Sequence, residues 1–549
     1  MATVAVVAPS GLVAEHLVSG LRGAPRIDAC EAAPPDRWPI VEDPGWLRKF
    51  DTVVYVAPPG SGRGSIAPDL GAAATMFDAL SRARPAQFVL VSSAAVYGAD
   101  HHNVGLLDEA AFISDRGREI VRQWMALEHE ARRAIAGGTV LTVLRPAAVL
   151  DGVNYFSRLL QSGAAINYPG HDPTMQFLSP SDLGRAVHAV VARRGADVYN
   201  VAPAGGIPLH HALRAAGATR LPIPRTLQRP LRACLASPGF AASNDQLRYI
   251  QYTWTVSDAK FRKATGFTPA RSSAAAIQEL TGRQAEGPLP AFDEFGMDAD
   301  YIRRYCRQLF HLLHQYYWRV EVDGLSHVPR AGRGVLVGMH RGFMPFDGVM
   351  ALYALVTRVN RIPRFLIHPS LTKFPFLADF MAKLGGIMAC QENGDYVLER
   401  DELLGVFPEG IRGAFTMYKR AYTLGKFGRD EYVRMALRNK APILPFVTVG
   451  SAEIYPILGR VDWPWFKRYT EWPFLPVTNP VPLPTKWHTR FLPPMHVEER
   501  YPPEAADDPT IVRTISVEVR QRMQATVDEM LLRRRSVFSG TIFDRAEAP

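Results

Sequence analysis

The first 150 residues alternate between two periodicities. Apolar, β-branched segments at TVAVVA (3–8), DTVVYVA (51–57), QFVLVSS (87–93) and TVLTVLRP (139–146) are separated by helical patterns such as AEHLVSGL (14–21) and RGREIVRQWMALEHEARRAIA. Alternation of this kind specifies a parallel sheet with helices on both faces, an α/β doubly wound fold.

The chain continues well past such a domain. At 549 residues it is too long for one core. Lysine usage divides it: no lysine occurs between Lys49 and Lys260. The stretch GRQAEGPLPAFDEFG (282–296) is rich in Gly, Pro and acidic residues and reads as a linker.

Composition narrows the class. Hydrophobic residues make up 47% and charged residues 21%, as in a globular protein. The four cysteines (Cys30, Cys234, Cys306, Cys390) are scattered. They lack metal-ligand spacing and form no disulfide framework, so we expect a reducing, cytoplasmic compartment and no metal. The opening MATVAVVAPSG has no basic region before its apolar run and reads as a strand rather than a signal peptide. No run of 18 apolar residues predicts a spanning helix. The net charge of +10 suits an anionic substrate or membrane surface. Zinc-finger spacing and RNA-binding aromatic signatures are missing, so nucleic acid is not an expected partner.

The turn after the first strand is APSGLVA (8–14). A dinucleotide fold uses glycines here, for the turn, for pyrophosphate approach and for helix packing. Only Gly11 is present, between Ala8 and Ala14, and Glu31 follows twenty residues later, where a ribose-binding acid would sit. An ordinary strand–helix turn is the other reading. The wider series DTVVYVAPP, FVLVSSAAVYG, VLRPAAVLDG, MQFLSPSDLGRAVHAVV and VYNVAP, closed by VSDAKFRKATGFTP (256–269), resembles the extended short-chain dehydrogenase/reductase family of the epimerase/dehydratase type. The resemblance covers about residues 1–280. It implies a Rossmann domain binding NAD or NADP, with Gly11, Glu31, Ala57, Ser92 and Ser93 at the cofactor, and a small substrate lobe.

That family also implies a tyrosine acid/base with a lysine four residues on, near 115–135. Neither is present: the helix offers Trp124 and Glu128, and Tyr97 is the nearest upstream tyrosine. General acid/base groups contribute about 10²–10⁴-fold, so we expect a catalytically degenerate domain that retains nucleotide binding. An NAD(P)-dependent oxidoreductase or epimerase in a bifunctional enzyme is the alternative.

The second half opens with DADYIRRYCRQLFHLLHQYYWRVEVDG, where Tyr301, Tyr305, Leu309, Leu312 and Leu313 recur at helical spacing with Arg303, Arg304 and Arg307 between them. The helix either packs on its own domain or lies on a lipid surface. A strand, GVLVGMH (334–340), then runs into GMHRGFMPFDG (338–348). His340 stands at the C-terminal end of that strand, where open α/β sheets place their active sites. Pro345 and Asp347 suit the first turn of a helix. Asp347 can therefore be a helix-start residue, and His340 a core histidine. Downstream, ELLGVFPEGIRG (402–413) is a strand ending in a Pro-Glu-Gly-x-Arg turn, and APILPFVTVG (441–450) is a third buried strand. An arginine among glycines presents a fork of donors to phosphate. The aromatic, basic stretch VDWPWFKRYTEWPF (461–474) reads either as an interfacial belt or as an aromatic satellite core.

The blocks H-R-G-F-M-P-F-D, F-P-E-G-I-R-G and A-P-I-L-P-F, in this order, resemble the glycerophospholipid (lysophosphatidate-type) acyltransferase family over about residues 300–525. The resemblance implies that His340 is a general base oriented by Asp347. Arg341, Gly342, Glu409, Gly410 and Arg412 would shape the substrate site, and the acyl donor would be acyl-CoA or acyl-carrier protein. Three departures stand out. The His–Asp spacing is H-x6-D rather than the commoner H-x4-D; Gln391 stands where an arginine is usual; and Ile411 replaces a threonine. A missing arginine removes a phosphate ligand and puts glycerol 3-phosphate in doubt.

We therefore expect a fusion: an NAD(P)-binding-type domain at 1–280, a linker at 281–299, an α/β acyltransferase domain at 300–535 and a flexible tail at 536–549. The expected activity moves a fatty acyl group to an alcohol acceptor (lysophospholipid, glycerol phosphate or a related lipid alcohol) at the inner face of the membrane, with the protein held peripherally. A non-catalytic nucleotide- or lipid-binding scaffold is the remaining alternative.

Overall fold

In the computed structural model, all residues are described except 1, 9–10, 23, 34–43, 61–64, 104, 116, 136, 223–242, 284–291, 375, 429 and 544–549. The chain divides into two compact units, Met1–Met297 and Asp298–Pro549.

The first unit is built on six parallel strands: β1 (Ala2–Val7), β2 (Ile27–Ala32), β3 (Thr52–Val56), β4 (Gln87–Val91), β5 (Val140–Pro146) and β6 (Asp197–Val201). Their spatial order is β6-β5-β4-β3-β1-β2, with Val6 of β1 paired to both Ala32 and Val54. Strand alternation sends side chains to two separate cores. Val4, Val6, Val54 and Val89 pack with Leu17 of α1 (Gly11–Leu21) and Leu183 of a later helix (Pro180–Arg193). Ala5, Val53, Tyr55 and Phe88 pack with Phe77 of α2 (Leu70–Ala83) and Leu127 of α3 (Glu119–Ala134). Two apolar faces on one parallel sheet are the doubly wound, Rossmann-like arrangement expected from the sequence. Naming Pro180–Arg193 α4, a Cβ on its Gly184 would lie 2.9 Å from the His16 carbonyl oxygen, so α1 and α4 meet closely only because that residue is glycine.

Of the segment expected as a linker, residues 284–291 lie outside the described residues. Phe295 is buried, and its carbonyl accepts a hydrogen bond from Thr174 Oγ1 at 3.1 Å.

The second unit carries a seven-stranded sheet. Its strands are β7 (Glu321–Asp323), β8 (Gly334–Gly338), β9 (Pro363–Ile367), β10 (Ile387–Met388), β11 (Leu403–Val406), β12 (Ile443–Val449) and β15 (His488–Phe491), in the order β7-β15-β12-β8-β11-β9-β10. A separate two-stranded hairpin, β13 (Gly459–Val461) with β14 (Leu475–Val477), lies between β12 and β15 in sequence. β8 sits between β11 and β12, parallel to both; β15 runs antiparallel to β12. The three central strands thus end on one edge, and the loops that follow them build the site.

The opening helix expected at 301–313 divides its faces. α5 (Ala299–Arg307) turns Tyr301 and Tyr305 onto Phe380, at centroid distances of 6.3 and 5.6 Å, whereas Leu309 and Leu312 are exposed. Within the segment expected as a flexible tail, residues 536–543 make specific contacts. Lys486 N donates to Val537 O at 2.8 Å, Arg319 Nη2 to Phe538 O at 2.9 Å, and Ile542 is buried. One backbone and one side-chain donor from residues next to β15 and β7 hold this segment, a pairing invisible in its composition. Residues 544–549 lie outside the described residues.

Candidate active site

His340 follows β8 by two residues, and Glu409 follows β11 by three. Both loops therefore leave the same sheet edge. The loop after His340 folds tightly: Met344 N donates to Gly342 O at 2.6 Å and Phe346 N to Met344 O at 2.8 Å. Gly342 (φ 80°) and Phe343 (φ 63°) both lie in the left-handed region. A Cβ at Gly342 would stand 2.2 Å from Ser451 O, just beyond β12, so only glycine fits between the two loops. The non-glycine left-handed Phe343 is the kind of backbone strain found at functional sites.

This fold absorbs the two extra residues of H-x6-D. They do not place His340 and Asp347 on one helix face, because His340 is not helical. Asp347 lies in the first turn of α6 (Phe346–Ala354), and the loop brings the helix start back to the strand end.

His340 Nδ1 is 2.8 Å from Asp347 Oδ2 and 3.0 Å from Oδ1. Asp347 is buried and also accepts from Arg341 N (2.9 Å) and Gly348 N (2.8 Å). A carboxylate met by two backbone donors is an acceptor, so we assign the proton to Nδ1 of the imidazole. Nε2 then carries the lone pair, and it makes no hydrogen bond among the described residues. The His340 side chain retains 14% of its exposure, and its ring rests on Phe407 at 4.9 Å.

Arg341 and Glu409 are paired with each other. Arg341 is buried, and all five guanidinium donors are met inside the protein. Nε donates to Ala421 O (2.5 Å); Nη1 donates to His340 O (2.7 Å) and Glu409 Oε2 (2.6 Å); Nη2 donates to Glu409 Oε1 (3.1 Å) and Thr423 O (3.1 Å). Glu409 Oε1 also accepts from Gly425 N at 2.7 Å. This bidentate pair ties three loops together beneath His340 and leaves Arg341 no donor for a head group. Gly342 is likewise packed against Ser451. Gly410 (φ 56°) and the exposed Arg412 lie on the open side of the turn. Gly413, next to Arg412, abuts the His340 carbonyl. Gln391 opens α7 (Gln391–Glu399).

A ring cluster borders the site that the sequence reading did not assemble. Phe343 meets Phe415 at 5.3 Å and Trp472 at 5.2 Å; Trp472 also meets Phe374 at 5.1 Å and Phe466 at 5.8 Å. The cluster gathers rings from four separate stretches between Phe343 and Trp472, so no local pattern announces it. A second missed network joins Arg534, just before the tail, to the core: Arg534 Nη1 donates to Glu453 Oε1 at 2.6 Å, and Tyr422 Oη to Glu453 Oε2 at 2.5 Å. Burial, then the Glu453 charge, pushes the Tyr422 phenol well up.

In the first unit, a cavity of about 100 Å³ opens at the C-terminal ends of the strands, near where the strand order reverses. Ala57, Ser92 and Ser93 line it, with Val13, Trp124 and Trp254. Gly11 starts α1 and Glu31 is exposed on β2; neither lines the cavity, and Pro9 and Ser10 of the expected phosphate turn lie outside the described residues. Under the cavity, Glu128 receives Arg145 Nε (2.9 Å) and Nη2 (2.8 Å) and the Ser92 hydroxyl (3.0 Å). Arg145 Nη1 also donates to Tyr97 Oη (2.9 Å), which donates to Asn200 Oδ1 (2.8 Å). Burial pushes the Tyr97 phenol up, outweighing the nearby Arg145 charge.

Residues 319–449 match the acyltransferase family. The chain is similar to the uncharacterized proteins Mb0514 of Mycobacterium bovis and Rv0502 of Mycobacterium tuberculosis (strain H37Rv). Each is 31% identical over 354 residues, covering 61% of this chain and 97% of the relative. Phytyl ester synthase 1, chloroplastic, of Arabidopsis thaliana is 32% identical over 139 residues, 24% of this chain and 20% of that protein. Among solved structures, UDP-N-acetylglucosamine 4-epimerase from Bacillus cereus is 15% identical with a TM-score of 0.38, covering 51% of this chain and 98% of its own. Human epimerase family protein SDR39U1 with NADPH is 17% identical with a TM-score of 0.39, covering 51% and 100%. The chain belongs to the same family as the mycobacterial proteins, and it is an acyltransferase whose acyltransferase domain follows a Rossmann-like one.

Proposed function

We propose that the protein transfers a fatty acyl group from acyl-CoA or acyl-carrier protein to a lipid alcohol, with His340 as general base. The observation that carries this reading is the His340–Asp347 pair: Nδ1 is held by a buried carboxylate, and Nε2 is free at an accessible edge. Nε2 takes the proton from the acceptor hydroxyl, and that oxygen attacks the thioester carbonyl. As the carbon–sulfur bond breaks, the imidazolium returns the proton to the departing thiolate. Asp347 holds the ring and stabilises its charged form.

The acceptor is an alcohol without a phosphate clamp. Arg341 is fully occupied by Glu409 and backbone carbonyls, and position 391 is glutamine. Arg412 is the exposed guanidinium on this turn. The apolar rings of Phe343, Phe415 and Trp472 border the site instead. The Arabidopsis relative is by name a phytyl ester synthase, which agrees with an apolar alcohol. The test is product analysis by mass spectrometry, with a long-chain acyl-CoA or acyl-carrier protein offered to a long-chain alcohol and to lysophosphatidate. We expect the wax-type ester to dominate; preferential acylation of lysophosphatidate would overturn this choice of acceptor.

The first unit has a Rossmann-like sheet, and NAD or NADP is its candidate ligand. The described cavity lining holds no lysine or arginine, and Tyr97 is tied to Arg145 and Asn200. These residues do not fit hydride chemistry of the lysine-assisted tyrosine type, and we derive no step through a nicotinamide. The reaction would take place at the cytoplasmic face of a membrane, with the protein bound peripherally; no described helix is long and apolar enough to cross one.

A further inference from the structure

The stretch 461–474 reads from sequence as either an interfacial belt or a satellite core, and the structure divides it between the two. Strand β13 leads into α8 (Pro464–Thr470), and β14 returns beside β13. One side of this hairpin faces inward. Phe466 and Trp472 join the ring cluster, Phe474 packs on Phe415 at 5.3 Å, and Thr470 is buried. The other side faces out. Trp463 is 50% exposed, Trp465 63% and Tyr469 60%; Trp465 stacks flat on Tyr469 at 5.6 Å rather than on the body of the protein.

The apolar surface continues past the helix. Leu458 is 69% exposed, and Val461 and Val477 are also exposed. Next to them, Tyr418 N donates to Ile457 O at 3.0 Å, which places the exposed Tyr418, Lys419 and Arg420 beside Leu458. Across 418–420 and 458–477 the chain carries five cations (Lys419, Arg420, Arg460, Lys467, Arg468) against two carboxylates (Asp462, Glu471). Large amphipathic rings among an excess of cations suit the boundary between anionic headgroups and acyl chains. An exposed apolar patch of this kind marks an interaction surface rather than ordinary solvent-facing protein.

We propose that the 457–478 hairpin, with 418–420 beside it, docks on an anionic lipid bilayer. The outer rings enter the interface, and the inner rings form the apolar wall along which the acceptor reaches His340. The link to the site is short. Trp472 of the hairpin lies 5.2 Å from Phe343, three residues beyond His340. The passage, though not the docking, rests on the acyl-transfer function proposed above.

The test is co-sedimentation of the full chain with phosphatidylcholine vesicles, with and without phosphatidylglycerol. We expect binding that needs phosphatidylglycerol and weakens with salt. Replacing the outer rings together (Trp463→Ser, Trp465→Ser, Tyr469→Ser) should abolish it. The pair Lys419→Glu, Arg420→Glu should lower it by about tenfold or more. Circular dichroism and thioester consumption with a water-soluble alcohol should stay at wild-type values in both variants, which separates lost docking from lost catalysis. Vesicle binding unchanged in the ring variant would overturn the proposal. So would wild-type protein that ignores both vesicle types, or a dimer by light scattering that buries these rings.

Discussion

Asp347 Oδ2 accepts from two groups of one loop at nearly equal distance, His340 Nδ1 at 2.8 Å and the Arg341 backbone N–H at 2.9 Å. One carboxylate therefore fixes both the imidazole and the chain that bears it. Asp347→Asn keeps the volume but replaces one acceptor with a donor and no longer stabilises the imidazolium. We expect its kcat to fall by about 10²–10⁴-fold, with KM and the circular dichroism spectrum little changed. Steady-state kinetics on the folded variant checks this.

The Arg341–Glu409 pair supports the site from beneath. Removing one partner leaves a buried charge unpaired, which costs about 3–5 kcal/mol. Arg341→Met and Glu409→Gln should each lower the midpoint of thermal unfolding, and Arg341→Met most, because it also frees the carbonyls of His340, Ala421 and Thr423. The double variant should lose less than the sum of the two. Additive losses in calorimetry would show that the two side chains act independently.

Gly342→Ala probes the close approach of two loops. The new methyl would meet Ser451 O, and φ near 80° disfavours any side chain. We expect the His340 loop to shift and kcat to drop even though no chemical group is removed. A crystal structure of the variant, compared by its His340–Asp347 distance, measures the shift.

His314 is fully buried against the Tyr353 ring at 4.4 Å. Burial, aided by the Arg358 charge, pulls its pKa down to about 3. The fold therefore holds the neutral form. Above the ordinary value near 6.5 its stability is complete; as pH falls from there toward 3, the unfolded chain binds the extra proton and stability is lost. At pH 5 this amounts to about 2 kcal/mol. His314→Phe should flatten the decline in melting temperature between pH 6.5 and 4, read by a pH series of thermal melts.

Parts of this arrangement are legible in the sequence because they are local. A run of apolar residues ending in histidine marks a strand end, and a Pro-x-Asp sequence marks a helix start. The contact between His340 and Asp347 follows once those ends share a sheet edge. The burial of Arg341 is not legible, because its acceptors at 421 and 423 lie eighty residues on, in a loop with no periodicity. A buried arginine and a ligand-binding one look alike until those carbonyls are placed. The same holds for 461–474, where three rings face in and three face out: composition gives the mixture of Trp and Lys, but only α8 and its flanking strands decide which ring faces which way. The first unit shows the converse. Its strands and doubly wound topology were readable, and so was the missing lysine, whereas the Glu128–Arg145–Tyr97 network beneath the cavity emerges only from the packing of α3 on β5.

The central claim is that His340 is the base of an acyl transfer. It is tested most directly by the initial rate of thiol release from a long-chain acyl-CoA or acyl-carrier protein in the presence of a long-chain alcohol, compared between the wild-type chain and His340→Ala. The account predicts ester formation by the wild type and a rate lower by about 10²–10⁴-fold in the variant. Equal rates from two folded proteins would contradict it.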